Sequence, residues 1–215
     1  MSIKSIFKSS PNWMRFWGEA RTRIVFWYVG IILVFVGVAI PLMRQQIIAQ
    51  VDARVRADLN EEMKEFLELL TEGPNFEDAA LIKGLREDGQ PIPEGYPTTA
   101  KELESLLEIH LKRRIPEDDM FLIGFVNQDF FRSSPRALPG ILAQDSALMK
   151  QWVTLSRSEQ GEQLTELRYG TLLHRAESIK INGKVLGVFV VAHTTAGERN
   201  EALKAFGVMV QVKML

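Results

Sequence analysis

Cysteine is absent from the 215 residues. The chain therefore forms no disulfide, binds no metal through thiolates and uses no cysteine nucleophile. Absent cysteine fits an oxidising compartment, although a cytosolic chain can look the same. An excess of charge of either sign is also absent, because 26 basic residues nearly balance 27 acidic ones. The overall charge thus indicates neither nucleic acid nor an acidic partner.

Sequence motifs for catalysis are missing as well. The chain contains no GxxxxGK[ST] and no GxGxxG phosphate-binding loop. Its histidines, His110, His174 and His193, lack the HxxxH and HExxH spacings of a zinc site. Ser133 and Ser134 are not set in a GxSxG nucleophile turn. We predict no catalytic residue, no metal and no cofactor, and hence no enzyme in this chain.

The longest hydrophobic run lies near the N-terminus. Residues 24–43 read IVFWYVGIILVFVGVAIPLM and carry no charge. As a helix they would span about 30 Å, the thickness of the hydrocarbon core of a bilayer. Trp27 and Tyr28 lie near one end, where aromatic side chains favour the membrane interface. We predict a transmembrane helix over 24–43.

A cleaved signal peptide is the main alternative, because Gly37-Val38-Ala39 has the small residues of a cleavage site. The apolar run is, however, longer than a usual signal peptide core. Basic residues dominate the preceding segment, in which Glu19 is the single acid. The basic residues are Lys4, Lys8, Arg15, Arg21 and Arg23. By the positive-inside rule, residues 1–23 are expected in the cytoplasm and residues from 44 onward on the outside.

A long amphipathic helix is predicted over residues 44–71. Its apolar side chains recur at steps of three and four: Val51, Val55, Leu59, Met63, Phe66 and Leu70. This stripe either packs on its own domain or also pairs with its twin in a homodimer, and the two are compatible. Residues 72–98 are rich in proline and glycine and are predicted as a loop. Thr99 and Glu102 form a capping box for a second helix, with His110 on its apolar, core-facing side.

The second half of the chain alternates strand and turn signals. Asn182-Gly183 is a strong two-residue hairpin signal between two apolar strands. We predict an α+β fold, an antiparallel sheet of about five strands with flanking helices. The predicted strands are 120–126, 130–133, 163–168, 171–181 and 184–192, and a helix is predicted over 142–155.

A last helix is predicted after the final strand, with Thr195 and Glu198 as its capping box. Residues 205–215 are apolar but only about half as long as a membrane span. We expect them to be the start of a second transmembrane helix that is cut off by truncation or a frameshift. An amphipathic tail at the membrane surface is the alternative. The predicted soluble domain is 44–204.

Several stretches of the chain resemble the N-terminal regions of cyanobacterial sensor histidine kinases. They are WMRFWGEARTRIVFWYV (13–29), VDARVRADL (51–59), IPEDDMFLIGFV (115–126), FRSSPRALP (131–139) and IKINGKVLGVFVVAHTTAGER (179–199). The resemblance covers nearly the whole chain and implies a PAS-like or Cache-like sensor domain outside the bacterial inner membrane. It also implies a homodimer that binds an unknown extracytoplasmic ligand.

In that family a HAMP linker, a phosphoacceptor-histidine helix pair and an ATP-binding domain follow the second membrane helix. This chain contains none of them, so the resemblance implies the signal-input part of a two-component system and no kinase activity by itself. A response regulator would be a partner only where a kinase core follows. The alternative is a stand-alone membrane-tethered periplasmic binding or scaffold protein.

Candidate ligand-binding residues lie on or beside the predicted strands. Arg132, Tyr169, His174 and Arg175 could line a pocket on one face of the sheet, where arginine would suit an anionic ligand. They could equally be ordinary surface or edge-strand residues. His193 lies between the last strand and the last helix, where a proton could bias the junction.

Overall fold

A computed structural model describes residues 20–75, 78–113, 116, 119–135, 137–164 and 170–212. The chain divides into two compact units, Met1–Ile47 and Ile48–Leu215. The first helix, α1 (Ala20–Glu72), contributes residues to both units. The predictions for residues 213–215 and for the side chains of 206–212 fall outside what is described.

The described part of the first unit is apolar helix. Between residues 24 and 43 the large hydrophobic side chains are exposed, Trp27 at 73% and Phe35 at 72%. Among the described residues, α1 is the one helix long and apolar enough to cross a membrane by length and composition. A signal sequence near an N-terminus would meet the same criterion. The predicted long apolar helix is therefore confirmed as a helix and as a candidate span.

The second unit is an α+β domain built on one sheet. After α1, its elements in chain order are α2 (Ala79–Glu87), α3 (Ala100–Arg113), β1 (Met120–Val126), β2 (Asp129–Ser133), a 3₁₀ turn (Gly140–Leu142), α4 (Ala147–Val153), β3 (Glu159–Leu164), β4 (Thr171–Ile181), β5 (Lys184–Thr194) and α5 (Ala196–Val212). The five strands form one antiparallel sheet in the order β2-β1-β5-β4-β3. The predicted five-stranded antiparallel sheet is confirmed.

The β4–β5 hairpin closes at the predicted turn. Asn182 and Gly183 both have positive φ, 51° and 79°, as a type I′ turn requires of its two central residues. This turn sets the pairing beside it, where Ile181 lies opposite Lys184. A register shift between Ile179 and Lys180 then moves the pairing by one residue, so that Leu172 lies opposite Thr194. The end of β5 therefore lies beside the start of β4.

Both faces of the sheet are buried. Side chains alternate between the faces along each strand, so Phe189 and Val191 of β5 belong to one core and Val188 and Val190 to the other. The first core includes residues of α1 and α3, and the second includes residues of α4 and the 3₁₀ turn. Two covered faces explain why β1 and β5 read as nearly continuous apolar runs rather than alternating ones.

The apolar stripe of α1 packs on its own sheet. Val55, Leu59, Met63 and Phe66 are at most 1% exposed and share a core with Phe189. The structure thus shows the first of the two predicted uses of this stripe, packing on its own domain.

Three predicted boundaries were wrong. The predicted loop 72–98 contains α2, which the buried Leu85 holds to the domain and which ends just before Gly89 in the left-handed region. The predicted helix 142–155 begins only at Ala147, because the Ser146 hydroxyl accepts a hydrogen bond from the Met149 N–H and caps the helix there. The strand predicted at 163–168 corresponds to β3, which begins four residues earlier, at Glu159. It is a polar edge strand that pairs with β4 alone. Its remainder, 165–168, lies outside the described residues.

Candidate functional site: the junction of the first and last helices

The predicted ligand residues on the sheet are spread apart. Arg132 lies on the edge strand β2 and Arg175 on β4, with β1 and β5 between them. Three strand spacings separate those two strands, about 14 Å. Arg132 Nη1 lies 3.3 Å from Glu108 Oε1 on α3, and Arg175 Nη1 donates to Asn60 Oδ1 on α1 at 2.6 Å. Each arginine is therefore engaged with a different helix.

His174 faces the opposite side of the sheet from its neighbour Arg175. It packs against Trp152 of α4, with ring centroids 5.1 Å apart. Tyr169 lies outside the described residues. The structure therefore brings none of the three described candidates, Arg132, His174 and Arg175, into one pocket.

A bidentate ion pair joins the first helix to the last at the end of the sheet. Arg199 of α5 donates from Nη2 to both carboxylate oxygens of Asp52 on α1 at 2.7 Å, and from Nε to Oδ1 at 3.1 Å. Its Nη1 also donates to Thr171 Oγ1 on β4 at 3.2 Å. The Arg199 and Asp52 side chains are 24% and 29% exposed. This geometry gives charge-assisted hydrogen bonds and fixes orientation as well as distance. We call Asp52, Arg199 and Thr171 the clamp.

Backbone bonds hold the start of α5 against the sheet. Thr195 N–H donates to Thr171 O at 2.9 Å, and Thr171 N–H donates back to Thr195 Oγ1 at 3.2 Å. The Thr195 hydroxyl, which the capping box assigned to the start of the last helix, thus accepts a hydrogen bond from β4. Gly197 packs so closely that an added Cβ would collide with Asp119 Oδ2. A displacement of β4 at Thr171 would therefore act directly on the first turn of α5.

His193 is buried at this junction. Its side chain is 0% exposed, Nδ1 lies 3.0 Å from Thr194 O, and Nε2 lies 3.7 Å from Glu198 Oε1 on α5. The structure thus places His193 where the sequence predicted it, between the last strand and the last helix. Its response to protons stays a prediction.

A second buried polar cluster surrounds His174 on the α4 face. His174 Nε2 lies 3.6 Å from Glu159 Oε1 of β3, which also accepts a hydrogen bond from Gln151 Nε2 at 3.0 Å. Burial lowers the pKa of His174 below its ordinary value, and the Glu159 carboxylate opposes that shift. No local spacing in the sequence links Trp152 and Glu159 to β4, so their contact with His174 is visible only in the tertiary structure.

His110 lies in the other core, as its position on the apolar face of its helix predicted. It is 0% exposed, and its Nε2 lies 3.1 Å from Glu62 Oε1 of α1. Its ring meets Phe66 and Phe189 edge-on, with centroids 5.3 and 5.2 Å away. The partner acid Glu62 is also buried, at 8% exposure.

An open cleft of about 760 Å³ lies where α1 ends and α2 runs past it. Its charged lining residues are Glu72, Lys83, Arg86 and Glu87. None of the residues predicted to bind a ligand lines this cleft. Within the described ranges, no group of three His, Asp or Glu side chains is placed to bind a metal ion.

Comparison with known proteins leaves the family open. No family model matches the chain, and no curated protein matches its sequence. The function is therefore inferred from the geometry of the site and from the resemblance noted in the sequence.

Proposed function

We propose that this chain is the signal-input portion of a membrane-bound two-component sensor histidine kinase. In this proposal residues 24–43 cross the bacterial inner membrane, the N-terminus is cytoplasmic and the sheet domain is a PAS-like or Cache-like sensor on the periplasmic side. The apolar and exposed side chains of residues 24–43 support a lipid-facing segment. The five-stranded antiparallel sheet with helices on both faces supports a separately folded sensor domain.

The clamp is the observation that carries the proposal. A sensor that signals through membrane helices must couple its first helix to its last, and Asp52 and Arg199 make that connection directly at 2.7 Å. Thr171 adds the sheet to the same connection. A stimulus that binds one arrangement of the sheet more tightly than another would shift the populations of both. Because the clamp couples the sheet to the helices, the arrangement of the helices would change with it.

The membrane topology can be tested because the chain has no cysteine. We expect Lys64→Cys, whose side chain is 76% exposed on α1, to react with a membrane-impermeant maleimide in intact spheroplasts. Ser10→Cys should react only after the membrane is permeabilised. Leu106→Cys, buried at 0% exposure, is the matched control and should stay unlabelled until the domain is denatured. The reverse pattern, or recovery of the protein in the soluble fraction, would contradict the topology.

The signalling role can be tested by fusing residues 1–204 to the second membrane helix, HAMP linker and kinase core of a well-characterised sensor kinase. We expect Asp52→Asn and Arg199→Gln each to change the output of a transcriptional reporter by about tenfold. The reason is that a hydrogen bond to a charged group contributes about 1.5 kcal/mol at the low end, and the clamp is partly exposed. The double reversal Asp52→Arg with Arg199→Asp should return the output toward that of the unchanged chain.

The control for this experiment is the exposed pair Lys64–Glu68 on α1, whose atoms lie 3.2 Å apart. Such surface pairs contribute little, so Lys64→Gln and Glu68→Gln should leave the reporter unchanged. An output that no clamp variant alters would favour the alternative, a membrane-tethered periplasmic binding or scaffold protein.

A further inference from the structure

All three histidines of the chain are buried, and each faces a glutamate from another element. The Nε2–Oε1 distances are 3.1 Å for His110 and Glu62, 3.6 Å for His174 and Glu159, and 3.7 Å for His193 and Glu198. Histidine is the side chain whose ordinary pKa lies in the range of mild acidification. A single buried histidine is common in a core. In this domain each of the three pairs joins two different elements of the fold.

His174 lies in a pocket formed by Trp152 of α4 and the backbone of β3. Among the described residues neither of its ring nitrogens has a hydrogen-bond partner, and the same holds for the indole nitrogen of Trp152. Gly161 of β3 makes room for the ring, since an added Cβ would lie 2.8 Å from His174 Cε1. The ring is thus enclosed by Trp152 and the backbone of β3.

The charge around His174 is sparse. Glu159 of β3 contributes the carboxylate that lies within 4 Å of the ring in the described structure. From α4 come the uncharged side chains Gln151 and Trp152, and β5 has Ala192 directly opposite. Burial therefore outweighs the attraction of one partly exposed carboxylate, and it lowers the pKa of His174.

We propose that the proton is a stimulus of this domain, and that acidification protonates His174 and loosens β3 and α4 from β4. A charged ring next to Trp152 is costly without full hydrogen bonding. It would draw Glu159 in from 3.6 Å to the roughly 2.8 Å of a charge-assisted bond. Glu159 would then leave Gln151, and the edge strand β3 would shift relative to α4.

The clamp lies within reach of this change. His174 is on β4 three residues after Thr171, whose backbone and hydroxyl bind Thr195 and Arg199. Because β3 pairs with β4 from Thr171 to Ala176, a shift of β3 would act on the start of β4 and through it on the first turn of α5. This link rests on the proposed function, whereas the protonation of His174 does not.

The other two pairs lie in different surroundings. His193 has Glu198 beside it, and the Asp52–Arg199 pair and Asp119 lie at the same junction. His110 has Glu62 within contact distance and aromatic rings on its other sides. His110→Gln and His193→Gln are therefore the matched control variants for His174→Gln.

Trp152 supplies a local probe of His174. The whole chain is placed in phospholipid nanodiscs with Trp13, Trp17 and Trp27 changed to phenylalanine. Trp152 is then the single tryptophan of the sequence. We expect Trp152 fluorescence to fall as the pH is lowered from about 8 to about 5, because an imidazolium quenches a neighbouring indole. The midpoint should lie below the ordinary histidine value of about 6.5, because burial disfavours the charged ring.

His174→Gln should abolish the fluorescence change, and His174→Phe, which keeps an aromatic ring beside Trp152, should abolish it too. His110→Gln and His193→Gln should retain it. A flat titration of the parent chain, or one that persists in both His174 variants, would overturn the inference. The titration needs neither a kinase core nor a particular topology. If the titration is flat but the clamp variants change the reporter output, only the acid inference is contradicted. If the titration is clear but the clamp variants leave the reporter unchanged, only the signalling role is contradicted.

Discussion

Replacing Phe189 with alanine is expected to lower the free energy of unfolding of the sheet domain by about 3–5 kcal/mol. Phe189 is 0% exposed on the central strand β5. Its ring stacks on Phe66 of α1, with centroids 4.0 Å apart, and meets His110 of α3 at 5.2 Å. The truncation would open a cavity where two helices and the sheet meet, and close packing of the surroundings limits collapse into it.

Equilibrium unfolding in urea, followed by circular dichroism on the full chain in detergent, would measure this loss. Phe131→Ala is the matched control, since that ring lies on the edge strand β2 and is only half-buried. Its cost should be clearly smaller. Equal costs for the two variants would contradict the assignment of the core beneath α1 and α3.

Replacing Trp152 with alanine is expected to cost a similar amount, about 3–5 kcal/mol, on the opposite face of the sheet. Trp152 is 0% exposed on α4 and is the largest of the fully buried side chains described. The same variant should also change how stability depends on pH. Trp152 encloses His174, and its removal would let water reach the ring, so the pKa of His174 would return toward the ordinary value.

The sign of that pH dependence follows from the lowered pKa of His174. Below about pH 6.5 the unfolded chain binds a proton at this residue that the folded chain does not yet bind. The contribution of His174 to stability is therefore complete above about pH 6.5 and is lost as the pH falls through the lower pKa of the folded state. Trp152→Ala should make this loss smaller.

Urea unfolding at about pH 7.5 and about pH 5.5, on either side of the ordinary histidine pKa, would measure both effects. Met149→Ala, at 1% exposure in the same core as Trp152, is the control for a cavity that leaves the histidine enclosed. It should cost about 2–5 kcal/mol and keep the pH dependence of the parent chain. The same pH dependence in Trp152→Ala and Met149→Ala would argue against Trp152 as the enclosure of His174.

Sequence reasoning succeeded where a local signal was strong. The stripe from Val51 to Leu70, the apolar runs of β1 and β5 and the turn at Asn182-Gly183 are each determined by residues a few positions apart. It failed at α2 and β3, where the signal was weak. Prolines and glycines around a nine-residue helix hid it, and an edge strand reading EQGEQL has no apolar alternation to reveal its position.

The sequence by itself determined that the chain has a long apolar helix, that an α+β domain follows it, and that motifs for thiol, zinc and nucleotide chemistry are missing. Only the tertiary structure decided that Asp52 meets Arg199, a partner 147 positions away, and that His174 and Arg175 face opposite sides of the sheet. It also paired each buried histidine with its glutamate. The physical reason is that periodicity and turn propensity act over a few residues, whereas ion pairs and core contacts depend on strand order and register, which are set when the whole chain packs.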